Sequence, residues 1–314
     1  MPLKILSYVK GLLAVSETAT CTSIARVVKQ SHDSLARILQ DTKLEWQTLL
    51  SSCIRKILGK LSAGYLMIDD TVINKSFAKV IENIAWVFCS KEGRSVLGLN
   101  IVVLAWSNGV VTIPLAIKVW KEGGKSKYVL ALELLSYARN ILKIKPKYVA
   151  FDSWYSSKKI LQRLQKYGWT FYTQIKKNRK FNGAQVKRRH KNPYWMESGT
   201  IDGNFKALVV RNGKKYFITN NLTATKQELL ANYRTRWKIE TMFRTLYDQL
   251  GLEECQARSL QTQTAHVNLC FMAFVVLERA RLETNQTSYQ LRRDYRFHPN
   301  LVDNLFVQLN LVGA

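Results

Sequence analysis

No run of 18 or more uncharged apolar residues, the length a membrane-crossing helix needs, occurs in the 314-residue sequence. Its most apolar stretches, Val96 to Trp106 and Leu269 to Leu277, are too short to span a bilayer. Met1 to Leu13 carries Lys4 and Lys10 but not the layout of a secretory leader. Cysteine is sparse. Cys21, Cys53, Cys89, Cys255 and Cys270 form no C-x-x-C pair, so neither a zinc site nor a disulfide framework is expected. His32, His190 and His298 make no metal constellation with them, and a reducing cytoplasm is the expected compartment. Internal repeats and low-complexity linkers are also missing. Acid is scarce: 22 Asp+Glu stand against 48 Lys+Arg, a net charge of +26. Self-repulsion on that scale implies a polyanionic partner, with nucleic acid the first candidate and an anionic membrane surface the second. Hydrophobic residues make up 47% of the chain, which suits a folded globular protein.

Residues 1–62 read as helical. Ile24, Ala25, Val28, Leu35 and Ile38 recur at helix-compatible spacing, and Ser31-His32-Asp33 interrupts them with turn and cap chemistry. This suggests a helix-turn-helix DNA-binding module with Asp33 to Leu39 as its second helix, Ser34 and Arg37 pointing outward, and no turn glycine. A plain helical hairpin packed on the core is the alternative. Residues 63–175 change grammar. Tyr65 to Asp69 reads as a buried strand ending in acid, followed by strands at Ile84 to Ser90, Val96 to Trp106 and Val111 to Trp120. A helix at Ser126 to Leu142, capped by Ser126, precedes the strand Tyr148 to Phe151, the helix Ser156 to Tyr167 and the strand Trp169 to Ile175. The fold class is therefore α/β, a mixed sheet with helices packed on it. Residues 176–225 break the pattern with short strands around Ala207 to Val210 and Lys215 to Thr219, like an insertion. Residues 226–290 return to helix, at Glu228 to Leu250 and Thr262 to Asn285; residues 291–314 read as a mixed tail.

Three acids carry the chemistry. Asp69 and Asp152 each sit at or just past the end of an apolar strand, the edge where α/β sheets assemble reacting groups. If their strands are neighbours, the two carboxylates repel until a cation joins them, and hard oxygen donors suit Mg²⁺ or Mn²⁺. Tyr233, Arg236, Glu240, Arg244 and Tyr247 are spaced to line one helical face, a poor core face but a good wall for a charged cleft. There Glu240 would turn toward a metal, and Arg236 and Arg244 toward phosphate. Each acid has a bland alternative, as a turn cap or, for Glu240, as a partner of Arg236 or Arg244. Together, in so basic a chain, they fit a two-metal phosphoryl-transfer site.

With these motifs the chain resembles the DDE transposases of the insertion-sequence-four superfamily. Ile68-Asp69-Asp70-Thr71 is similar to the family's strand-end D-D-T, and Phe151-Asp152-Ser153-Trp154-Tyr155 to its D-S-x-Y. Tyr233, Arg236 and Glu240 match its Tyr-x2-Arg-x3-Glu-x6-Lys helix signature, with Tyr247 in place of the final Lys. The resemblance spans roughly residues 20–280. It implies an RNase H-like catalytic core and an all-β insertion between the second and third acids; Asp69, which continues directly from the strand, is taken as the first ligand, with Asp70 as the alternative. It also implies two Mg²⁺ or Mn²⁺ ions on Asp69, Asp152 and Glu240, and a homodimer on paired double-stranded DNA ends in a prokaryotic cytoplasm.

The expected DNA track is Lys176, Lys177, Arg179, Lys180, Lys187, Arg188, Arg189 and Lys191, eight bases without an acid between residues 176 and 191, with Tyr194 and Trp195 as stacking platforms. Tyr233, Arg236 and Arg244 on the Glu240 helix and Arg37 near the N-terminus join it. Trp237 is expected on the buried side of its helix and His266 in a structural role. The expected reaction is metal-dependent cleavage at insertion-sequence ends and strand transfer into target DNA. A catalytically inactive DNA-binding derivative and an RNase H-fold nuclease without joining activity are the alternatives.

Overall fold

The computed structural model describes residues 2–61, 63–78, 80–203 and 205–312. The expected boundary at Ser62 and the last two residues of the tail lie outside them. Four helices open the chain: α1 (Leu3–Ala14), α2 (Cys21–Val28), α3 (His32–Gln40) and α4 (Trp46–Leu58). The side chains of Thr20 and Ser31 accept the amides of Ser23 and Ser34 and so start α2 and α3. Lys29 takes the left-handed position that ends α2, at φ 54°, where a glycine would be the cheaper residue. Arg37 is exposed on α3 and Ser34 is half-buried.

A mixed sheet of 11 strands follows, with the order β2-β3-β1-β5-β6-β11-β10-β9-β7-β8 and β4 paired to β3. Its first part is β1 (Tyr65–Asn74), β2 (Ala85–Cys89), β3 (Arg94–Ser107), β4 (Thr112–Val119), β5 (Val149–Phe151) and β6 (Phe171–Ile175). α5 (Lys127–Asn140) and α6 (Lys158–Lys166) connect β4 to β5 and β5 to β6. The parallel pairs are β1 with β5, at Ile68↔Phe151, and β5 with β6. β1 does not end at Asp69 as the sequence suggested. Antiparallel pairing with the long β3 carries it on from Asp69↔Val103 to Asn74↔Gly98, after β5 has stopped. Ser126 holds the N-cap position of α5, but its side chain makes no capping bond.

The segment 176–225 contains β7 (Lys180–Phe181), β8 (Ala184–Gln185), β9 (Met196–Ile201), β10 (Phe205–Asn212) and β11 (Lys215–Thr219). It is β-rich, yet it extends the same sheet, because β11 pairs antiparallel with β6 at Tyr216↔Ile175. The single helix expected from Glu228 to Leu250 is two, α7 (Lys226–Arg234) and α8 (Trp237–Leu250). At the junction the Thr235 and Arg236 amides reach back three residues, to Asn232 and Tyr233, and the Thr235 hydroxyl also donates to the Asn232 carbonyl. The helix tightens and bends there.

α9 (Leu260–Thr284) is capped by Ser259 and is long and apolar enough to cross a membrane by length and composition, but most of it is buried inside the protein. It is apolar all round, and α1, α3, α4, α8 and β4 all pack against it. The N-terminal helices thus share one hydrophobic core with the sheet. His266 is buried on α9 between the Tyr8 hydroxyl (3.0 Å) and the Gly251 carbonyl (2.9 Å), a structural place as expected. The terminal stretch is no mixed tail: it forms α10 (Ser288–Phe297), opened by a Thr287–Gln290 capping box, and α11 (Asn300–Gln308).

Arg292 of α10 fastens these ends together. It is buried and donates to the carbonyls of Leu13 (2.6 Å), Val15 (2.7 Å) and Gln249 (2.7 Å). Its truncation leaves three carbonyls without a charged donor. Arg292→Ala is expected to cost about 3 kcal/mol of unfolding free energy, read from the shift of a urea midpoint at constant slope. A cost within a few tenths of the wild type would show that the clamp is idle.

Candidate active site

Alternation along a strand sends every second side chain to one face. On β1 and β5 that rule puts Tyr65, Asp69, Tyr148 and Asp152 on the face covered by α7 and α8. The rings of Tyr65 and Tyr148 stack at 4.8 Å, and the Tyr148 hydroxyl donates to Thr235 at the helix junction (3.2 Å). Asp69 and Asp152 follow the paired residues Ile68 and Phe151, so their backbones are neighbours. Asp69 accepts the Asp70 amide (2.9 Å) on one oxygen and the Arg236 guanidinium (2.9 Å) on the other. Asp152 accepts the amides of Trp154 (2.9 Å) and Tyr155 (3.3 Å), so it also caps the turn that follows it.

Burial pushes the Asp69 carboxyl up to about 8; Arg236 pulls it down, while the charges of Asp152 and Asp70 add to the rise. Burial likewise raises Asp152, against the two amides and Arg236 that lower it. Burial works against the Arg236 charge, but Asp69, Tyr233 and Glu240 hold it, and its pKa ends above the ordinary value.

Glu240 reaches this pair indirectly. Its carboxylate meets Arg236 at 2.6 Å, one turn away on the same helix, so Arg236 stands between Asp69 and Glu240. Among the described residues no three His, Cys, Asp or Glu side chains are grouped closely enough to hold a metal as they stand. The structure therefore brings Asp69 and Asp152 together and links Glu240 to them through a guanidinium. Two hard carboxylates, half-buried and mutually repelling, fit Mg²⁺ or Mn²⁺, which take one or two carboxylates and leave their remaining positions to water and substrate phosphate.

Asp70 points to the other face. Lys127 of α5 (2.7 Å), Asn100 of β3 (2.9 Å) and the buried Tyr155 (2.7 Å) occupy both its oxygens. Lys127 and Asn100 carried no signal in the sequence, because only the packing of α5 and β3 brings them here. Tyr233 donates to Gln174 of β6 (3.1 Å). Tyr247 is largely buried, with its hydroxyl bonded to Thr71 (2.6 Å) and to the Val72 carbonyl (2.9 Å). It fastens α8 to β1 two residues beyond Asp69, and the Lys91 ammonium lies 4.9 Å over its ring. Arg244 is exposed and has no carboxylate within ion-pair distance among the described residues.

The aromatic and basic residues sort differently from expectation. Trp237 is 58% exposed rather than buried, because it shares the outward face of α8 with Thr241, Arg244 and Asp248, opposite the buried Ile239, Met242 and Leu246. Trp195 is buried against Phe181 and Tyr216 and offers no stacking platform; Tyr194 is exposed with Lys226 over its ring. Of the eight bases, Arg179 pairs with Asp202 (2.9 Å) and donates to the Ser156 carbonyl, and Arg189 pairs with Glu197 (2.6 Å). Those acids come from β9 and the turn after it, outside the run. Lys176, Lys177, Lys180, Lys187, Arg188 and Lys191 are exposed.

A half-buried acidic pair at the inner strands of a mixed sheet, set against an arginine-glutamate helix in a basic chain, is an arrangement suited to binding a cation together with a phosphate. Residues 65–276, from the start of β1 into α9 and including all three acids, match the transposase DDE domain family, and the chain belongs to that family. Its fold is similar to that of a piggyBac transposase in a cryo-EM synaptic complex with hairpin DNA, at TM-score 0.60 and 10% identity over 99% of this chain and 73% of that one. No curated protein matches the chain.

Proton and cation compete for Asp69. A carboxyl pushed up to about 8 is mostly protonated at pH 6, and a cation must displace that proton. Affinity for Mn²⁺ is therefore expected to rise with pH, by up to about tenfold per unit, and to level off above about 8. Calorimetric titrations at several pH values with wild type and Asp69→Asn test this; a pH-independent affinity, or one unchanged in the variant, would remove Asp69 from the site.

Proposed function

We propose that the protein is a DNA transposase of the insertion-sequence-four-like type, which cleaves DNA at insertion-sequence ends and joins them to target DNA by in-line phosphoryl transfer. The observation that carries this reading is the side-by-side placement of Asp69 and Asp152 beneath the Arg236–Glu240 helix in a chain of net charge +26. Asp69 and Asp152 would hold the divalent cations, with Glu240 completing the set. Two Mg²⁺ or Mn²⁺ ions bound there would supply Lewis-acid stabilisation of the phosphodiester and activate the attacking hydroxyl.

Arg236 has two tasks in this reading. Without DNA it neutralises Asp69 and Glu240. Its buried Nε lacks a partner among the described residues, so an incoming phosphate finds an unused donor. Turning toward that phosphate would free Glu240. Tyr233 positions Arg236, its ring 5.9 Å from the guanidinium. Asp70, held by Lys127, Asn100 and Tyr155, keeps the turn bearing Asp152 in register with β1.

Lys176, Lys177, Lys180, Lys187 and Arg188 would follow the DNA backbone, and Arg37 on α3 would contact the terminal inverted repeats. Arg179 and Arg189, already paired within the protein, would shape that surface. The synaptic complex of the structurally similar transposase supports a paired-end assembly, here a homodimer bridging two DNA ends in a prokaryotic cytoplasm.

The test is a supercoiled plasmid carrying the gene with its native flanks, incubated with purified protein and Mg²⁺ or Mn²⁺. Metal-dependent breaks at the element's boundaries and joined products are expected for the wild type, and neither for Asp152→Ala. Binding to the flanks without breaks in either metal would make the protein a non-catalytic derivative, and breaks without joining would make it a nuclease.

A further inference from the structure

At the sheet edge where β1 and β5 begin, opposite the one that carries Asp69 and Asp152, the protein has a cleft of about 490 Å³. Two helix ends form its banks. On one side α4 stops at Gly59, whose amide donates to the Arg55 carbonyl (3.0 Å) and whose φ of 72° turns the chain out of the helix. On the other side α5 closes with the amides of Leu142 and Ile144 on the carbonyls of Tyr137 (3.1 Å) and Ala138 (3.0 Å). The hydroxyls of Ser51 and Tyr137 meet at 2.7 Å and tie α4 to α5. The Lys147 amide donates to the Gly64 carbonyl (2.7 Å), so the loops beyond both helices are fastened as well.

The floor between the banks is aliphatic. Ile54 and Leu115 are buried there, while Leu61, Leu142 and Ile144 are only half-buried. Ile141, next to Leu142 in the chain, is 65% exposed, so apolar surface continues past the rim. Cations stand on both banks. Arg55 and Lys60 belong to one and Lys143 and Lys145 to the other, and all four are exposed. Among the described residues no acid lines the cleft, and none of the four cations pairs with a carboxylate. An aliphatic strip between two rows of unpaired cations is therefore open to solvent.

We infer that this cleft docks an acidic amphipathic helix of a partner protein, with the helix's apolar stripe on the aliphatic floor and its carboxylates on the two banks. Charge and composition select this occupant. The phosphate backbone of a nucleic acid meets the four cations but brings no aliphatic face to the floor. A lipid-like amphiphile covers the floor but brings one anionic head to cations on two sides. A second copy of the chain, at net charge +26, meets like charge. A helix with acids flanking one apolar stripe answers both the floor and the banks. The inference does not depend on the phosphoryl-transfer reading, and a partner seated here leaves the Asp69–Asp152 edge uncovered.

The experiment titrates the full chain into a fluorescein-labelled synthetic helix of about 15 residues, with leucines along one stripe and glutamates on both sides of it, and reads anisotropy. A second peptide has the same composition with its leucines dispersed around the helix. The patterned peptide is expected to bind at least about tenfold more tightly than the dispersed one, since only it can lay several leucines on the floor. Lys60→Glu/Lys145→Glu, which reverses one cation on each bank, is expected to weaken the patterned peptide about tenfold. Lys158→Glu/Lys159→Glu, the same reversal at the exposed start of α6, is expected to change it by less than about twofold. Ile144→Ser is expected to narrow the preference between the peptides about threefold, and thermal melting checks that each variant is folded. Equal affinity for the two peptides, or equal losses in the two charge-reversed pairs, would overturn the inference. So would displacement of the patterned peptide by dodecanoate at comparable affinity, or by a DNA duplex whose own affinity falls in Ile144→Ser. No arm involves Asp152, so the outcome is the same whether or not the plasmid is cut.

Discussion

Two carboxylates forced together by parallel strand pairing are the constraint around which the site is arranged. β1 and β5 run side by side, and the alternation of each strand turns Asp69 and Asp152 to the same face. Like charges at that separation, partly withdrawn from water, are costly unless a cation or proton intervenes. The surroundings answer that cost. Arg236 lies against Asp69, amides of the following turn bond Asp152, and the Asp69 carboxyl rises to about 8. In the reading proposed above, a divalent cation would take the place of that arginine and proton, sharing its remaining positions with water and substrate phosphate.

The two faces of the sheet divide the labour. Asp69 and Thr71 meet α8, where the Tyr247 hydroxyl pins helix to strand. Asp70, one residue along, points to α5 and is fully engaged by Lys127, Asn100 and Tyr155. Adjacent aspartates thus face opposite ways: Asp69 meets Arg236 beside Asp152, and Asp70 braces the turn that follows Asp152. The bend at Thr235 and Arg236 serves the same geometry. It lets Arg236 reach Asp69 while Glu240, a turn later, shares its guanidinium.

Charge is distributed by a similar logic. Where the basic segment crosses β9, Asp202 and Glu197 neutralise its arginines and hold the strands in place. Where it leaves β6 beside Asp152, its lysines stay free and are joined by a second pair from another hairpin. Unpaired positive charge therefore collects at the edge of the carboxylate pair.

Much of this was legible in the sequence. The charge excess, the apolar strand residues leading into Asp69 and Asp152, and the ordered spacing through Glu240 depend on local composition and periodicity, which survive folding unchanged. So do the caps at Thr20, Ser31 and Ser259, where a hydroxyl serves amides only three residues away. What only the tertiary structure decided involves partners distant in the chain. The length of β1 was set by β3, and the burial of α9 by the helices and the strand β4 that pack around it. Lys127 and Asn100 on Asp70, and Lys214 beside Lys176, meet because strands and helices far apart in sequence pack together. Periodicity reports which face a residue takes, but only packing determines what that face meets.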